Sequence, residues 1–170
     1  MTELILDTNI LADFLDQYFD SKRGNRGYGK FLAADNISPG FAKKINSVVG
    51  RYAVEPDPTF SGLIISSTLA FVELARRFDA ISRERFSIEN LYDFIQTHPD
   101  WFSIAPVDMQ LIPFFLEVPK HVYVENQNVP IEWTDAVHVA TAFSRGDSSF
   151  VLTTDSKISA IPTLQNRLLV

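Results

Sequence analysis

The sequence predicts an α/β fold, a parallel sheet with helices on both faces, and three observations predict it. Short apolar runs, each the length of a buried strand, alternate with amphipathic stretches of ten or more residues. No two runs are joined by a hairpin signal, so each passes to the next through a helix. The 170 residues, 46% of them hydrophobic, suffice to bury the core of one domain spanning 1–170, and no internal repeat divides them.

The strands expected are ELIL (3–6), GLIIS (62–66), WFSIAPV (101–107), FVLT (150–153) and RLLV (167–170). Between them NILADFLDQYF and STLAFVELARRF carry apolar residues at helical spacing. SIENLYDFIQTH opens on a serine cap two residues before a glutamate, and TDAVHVATAFSRG ends in a glycine suited to a C-terminal cap. Pro113 within MQLIPFFLE makes the helix after Asp108 short or kinked. From about 21 to 58 the rhythm is interrupted by GNRGYG, a helix after SPG and the EPDP turn cluster, which together read as an inserted basic segment or lid.

Composition narrows the chemistry. No apolar run approaches the length of a bilayer span, and MTELILD lacks the basic flank of a signal peptide, so a cytoplasmic protein with no membrane partner is expected. The absence of cysteine excludes disulfides, thiolate metal sites and thiol nucleophiles, leaving oxygen and imidazole. A net charge of -6 with pI near 5.0 argues against coating nucleic acid by bulk electrostatics. The charge is nonetheless uneven: Lys22, Arg23, Arg26, Lys30, Lys43, Lys44 and Arg51 face the single acid Asp35 between 21 and 51, a local +6 that leaves −12 on the rest. Such a segment either greets a polyanion or is a solvated loop.

Four acids stand out, three of them where a parallel sheet collects ligands, at strand ends and helix starts. Asp7 follows ELIL, Asp155 follows FVLTT, and Asp135 falls in the first turn of the helix near Thr134. Glu73 sits inside the apolar stretch LAFVELA, where a carboxylate is costly without a partner. Taken singly, Asp7 and Asp155 serve equally as strand-end turn residues, and Asp135 complements a helix dipole. Taken together, four carboxylates at one edge would repel unless a cation sat among them, and oxygen-only donors suit Mg2+ or Mn2+. Such ions serve phosphodiester hydrolysis. Basic groups for an anionic substrate are offered by 22–51 and by Arg76, Arg77, Arg83 and Arg85.

In their order, LILDTN, STLAFVELARR, WTDAVHVATAF and FVLTTD span nearly the whole chain and resemble the PIN-domain ribonucleases, closest to the toxins of prokaryotic type II toxin–antitoxin pairs. The resemblance implies a three-layer α/β/α fold with a five-stranded parallel sheet. It implies an endoribonuclease in which Asp7, Glu73, Asp135 and Asp155 hold Mg2+ or Mn2+ and an activated water attacks RNA. Asn9 and Thr153 would orient the carboxylates. Lys22, Arg23, Arg26, Arg76 and Arg77 are candidate substrate contacts, and a small antitoxin protein or a second copy of the chain is the implied partner.

The chain departs from the family in two places. Asp7 and Glu73 are 66 positions apart, longer than in compact toxins, and SKI follows Asp155 where relatives carry a further acid and an aromatic. Lys157 and Ile158 therefore favour a one-metal site over two. His138, three residues after Asp135, reads as a supporting group rather than a ligand, His98 and His121 as loop residues. The strip Ile10, Leu11, Phe14, Leu15 and Tyr18 reads either as a docking face for a partner or as ordinary core. Two alternatives stand beside the nuclease: a catalytically silent module of the same fold that binds RNA or protein, and a phosphatase with Asp7 as nucleophile. The latter usually needs a second aspartate where Asn9 stands.

Overall fold

A computed structural model of the chain describes residues 2–22, 62–77 and 86–168. Most of the basic insertion, with Arg23 and Arg26 and the side chain of Lys22, lies outside the described residues, as do Arg83 and Arg85.

Four strands form one parallel sheet: β1 (Thr2–Leu6), β2 (Gly62–Ser67), β3 (Phe102–Ala105) and, after the hairpin described below, β6 (Ser149–Leu152). Their order is β3-β2-β1-β6, with Leu6 level with both Ser66 and Leu152, and Ser67 level with Ala105. Every strand therefore ends at the same edge. Alternation along each strand feeds two cores. Leu4, Leu6, Ile64 and Leu152 join the cluster on one face, Ile5, Ile65 and Val151 the cluster on the other. The apolar runs are continuous because both faces are covered.

The first face is covered by α1 (Thr8–Lys22), α2 (Thr68–Arg76) and α3 (Ile88–Thr97). Ile10, Leu11, Phe14 and Leu15 of α1 are all 0% exposed within this cluster, with Tyr18 packed against it. That strip is core, so the docking reading fails for it. Ser87 caps α3 as expected, by a capping box: its hydroxyl accepts from the Asn90 N–H, and Asn90 Oδ1 accepts from the Ser87 N–H.

The second face carries α4 (Ile112–Glu117) and α5 (Trp133–Ser144). α4 is short: the 3-10 turn Met109–Leu111, capped by Asp108, precedes it, and Pro113 sits in its first turn, where its missing N–H costs nothing. Between α4 and α5 an antiparallel hairpin intervenes, β4 (His121–Val124) with β5 (Gln127–Pro130), against the expectation of none. Its turn places Glu125 and Asn126 at φ 51 and 65, a two-residue turn of the primed type. Glutamate lends that conformation no glycine signature, so the sequence conceals it.

α6 (Ser156–Ser159) and the 3-10 turn Pro162–Arg167 close the chain. Of the expected strand RLLV, Arg167 belongs to that turn, Leu168 makes one parallel bridge to Val151, and 169–170 lie outside the described residues. Among the described residues no helix is long and apolar enough to cross a membrane.

α5 ends where its glycine lies. Gly146 adopts φ 76, and a Cβ there would meet nothing within 4 Å. Gly146→Ala is expected to cost about 1 kcal/mol through the left-handed dihedral alone. Urea unfolding should show a lower midpoint with an unchanged slope.

Candidate functional site

The strand order places a crevice before any side chain is considered. From β1 the sheet runs to β2 and β3 on one side, while β6 lies on the other. α1, which follows β1, packs on the first face, and α5, which precedes β6, on the second. Beyond the carboxyl ends of β1 and β6 the helices diverge, the switch point at which open α/β sheets bind ligands.

Asp7 emerges there and is buried, 4% exposed. It caps α1: Oδ1 accepts from the Ile10 N–H at 2.8 Å, and its carbonyl accepts from the Leu11 N–H. Its other oxygen, Oδ2, accepts from Thr153 Oγ1 at 2.5 Å, and that hydroxyl also accepts from the Asp155 N–H. Thr153 thus ties the end of β6 to the end of β1. Burial raises the Asp7 pKa above the usual carboxylate range, opposed by the Ile10 N–H and the Thr153 hydroxyl.

Glu73 reaches the crevice from α2. Its Oε2 accepts from Thr8 Oγ1 at 2.5 Å, and His138 Nε2 stands 3.7 Å away. His138 is buried on α5, its Nδ1 3.5 Å from Ser67 Oγ. The His138 ring, then the Thr8 hydroxyl, holds the Glu73 carboxyl below its ordinary range against the opposing effect of burial. Thr8, in the middle of the DTN triplet, was not among the expected site residues; only its place between Asp7 and Asn9 pointed to it.

Asp135 and Asp155 meet at a lysine. Lys157 Nζ lies 2.9 Å from Asp135 Oδ2 and 3.7 Å from both Asp155 Oδ2 and Glu132 Oε1. Asp155 is also the cap of α6, accepting the Lys157 N–H at 2.7 Å. The hydrogen bond to Asp135 foremost, with the charges of Asp155 and Glu132, raises the Lys157 pKa.

All four expected acids line one cavity of about 210 Å³, together with Thr8, Asn9, Arg77, Glu132, His138 and Lys157. Arg77 is brought to its wall; Arg76, one position earlier, is exposed and does not line it. A larger cavity, about 300 Å³ between the end of β3, α4 and α5, contains none of the four acids.

Carboxylate oxygens dominate the lining, as a hard divalent cation prefers: five carboxylates stand against Arg77 and Lys157, a formal excess of three negative charges with the His138 imidazole left out of the count. The buried Asp7 carboxylate has the most to gain from one. As the side chains stand, no group of three or more carboxylates or imidazoles among the described residues is gathered tightly enough to grip an ion. The reason is visible in their partners, since Asp7 and Glu73 are turned to hydroxyls and Asp135 to the ammonium. Such an ion would be held by Asp7 and Glu73, and by Asp135 and Asp155 only where Lys157 releases them. Neither the scan of protein-family models nor the search of curated proteins returns a match to this chain.

Proposed function

We propose that the chain is a metal-dependent endoribonuclease of the PIN-like kind that its motifs resemble, using Mg2+ or Mn2+. One observation carries the reading: Asp7, Asp155, Glu73 and Asp135, drawn from four separate segments, line a single cavity at the switch point of a parallel sheet. A divalent ion bound there supplies the positive charge and lowered water pKa that in-line displacement at phosphorus requires. The chain itself does the positioning. Thr153 and the Ile10 N–H fix the Asp7 carboxylate, Thr8 and His138 fix Glu73, and Asn9 stands exposed at the rim.

Arg77 on the cavity wall, with Arg76 beside it in sequence, offers charge to the RNA backbone, and Lys22, Arg23 and Arg26 belong to the same proposal. The finer fold belongs to it too: a three-layer PIN-like sheet whose fifth strand adds beside β6, where Leu168 already bridges Val151. Control by a small antitoxin protein in the cytoplasm rests on the resemblance alone.

A second reading, a silent module that binds RNA without cutting it, draws on the partners that each acid already has. One experiment separates the two. The full chain is incubated with a single-stranded RNA oligonucleotide and Mn2+, with and without excess chelator. Cleavage that chelator abolishes is the expected result. Binding without cleavage selects the silent module, and cleavage indifferent to chelator removes the metal from the reading.

A further inference from the structure

The cleft carries a cation of its own, and its placement divides the acids. Glu132 and Asp135, from the start of α5, and Asp155, from the start of α6, converge on the Lys157 ammonium at 3.7, 2.9 and 3.7 Å. Lys157 is held at both ends, because Asp155 also accepts its backbone N–H. With the Lys157 side chain 22% exposed and those of Asp135 and Asp155 18% and 27%, solvent screens these two contacts only in part, whereas Glu132 at 70% is a well-screened outer partner. The inner acids have different partners: Asp7 is satisfied by Thr153 and the Ile10 N–H, Glu73 by Thr8 with His138 nearby.

Resting on the nuclease reading, we infer that Lys157 is the resident second cation of the cleft: its ammonium occupies the outer acids, Glu132, Asp135 and Asp155, and restricts the cleft to one divalent ion, on the side of Asp7 and Glu73. The geometry carries this in two ways. The ammonium covers Asp135 Oδ2 at hydrogen-bond distance, and a second ion would have to displace it from that oxygen. A divalent charge among these same carboxylates would also lie within a few ångströms of Nζ, where repulsion in a partly buried cleft exceeds a tenfold effect on binding. Without the lysine charge, the outer acids would be left as an unneutralised trio, the condition that recruits a cation.

Manganese alone is the probe. Uptake by the full chain is counted from the loss of the free Mn2+ electron paramagnetic resonance signal, with circular dichroism reporting the fold. Wild type and Lys157→Arg are expected to bind one ion. Lys157→Met, which keeps the stem and loses the charge, is expected to bind two, the second at least about tenfold more tightly than any weaker uptake in wild type. Adding Asp135→Asn to Lys157→Met should remove that second ion again. Lys157→Gln reads the same quantity should the methionine variant not fold. One ion in wild type and one in Lys157→Met overturns the inference and leaves the nuclease reading standing, as does uptake of two ions by wild type. No uptake by any variant overturns both.

Discussion

Replacing Asp7 by asparagine is expected to lower Mn2+-dependent RNA cleavage by about a thousandfold or more while raising, not lowering, the midpoint of thermal unfolding. Asparagine keeps the shape and can still accept the Ile10 N–H and meet the Thr153 hydroxyl, so both the cap of α1 and the link to β6 survive. What it removes is a buried charge. Burial raises the Asp7 pKa, so in the window between the ordinary value and the raised one the folded chain holds this proton more tightly than the unfolded chain does. Wild-type stability therefore falls as pH rises through that window and is level above it. Asparagine does not titrate there. The variant's advantage is accordingly absent below about pH 4, where aspartate is protonated in both states, and complete above the folded pKa.

Mn2+ reverses the ranking. An ion that binds only the folded state stabilises it by about 2.7 kcal/mol at a hundred times its dissociation constant. That shift should appear in wild type and vanish in Asp7→Asn. Thermal melts at two pH values, with and without Mn2+, test both halves. Equal melting of the two proteins in Mn2+, with equal cleavage, would remove Asp7 from the site. A lower melting point for the variant at every pH would show that the cap, not the charge, dominates at this position.

How much of this the sequence disclosed depends on the distance over which each feature is decided. The strands were legible because their runs are apolar on both faces, and the caps at Ser87 and Gly146 because they are local. Asp7, Asp135 and Asp155 were legible because strand ends and helix starts are local too, and Glu73 because a carboxylate inside an apolar helical stretch stands out. The hairpin was not, since Glu125 and Asn126 lack the usual turn signature and owe their positive φ to the pairing of Val124 with Gln127. Lys157 stood out as an obstacle to a second metal, but which acids it neutralises was not legible. That neutralisation needs Lys157 to reach Asp135 and Glu132 across the gap between α6 and α5, a matter of tertiary placement. Thr8 and Glu73 likewise meet across 65 positions. The apolar strip on α1 had two readings for the same reason: periodicity identifies a face, and only what packs on it says whether that face is free.

That strip supplies the largest stability effect expected. Phe14 is fully buried between α1 and the sheet, its ring 5.4 Å from Phe102 in a stacked arrangement and 6.1, 6.0 and 6.2 Å from Phe94, Trp101 and Tyr18. Phe14→Ala is expected to cost about 3–5 kcal/mol, the lost transfer energy plus that of a cavity that four aromatic neighbours cannot collapse to fill. Against the 5–15 kcal/mol typical of a domain this is a large fraction, and it should lower the melting point by roughly 10 °C. Phe14→Leu, which restores most of the volume, should recover more than half of the loss. The two readings of the strip predict different numbers: a docking residue cut to alanine changes isolated stability by no more than about 0.5 kcal/mol. Chemical denaturation of the chain alone therefore checks that the strip is core. Because Phe14 lies two turns from the Asp7 cap and lines no part of the acidic cavity, the folded fraction of Phe14→Ala should cleave RNA at the wild-type rate per molecule. A matching loss of turnover would mean instead that this core holds the end of β1 and its carboxylate in register with β6.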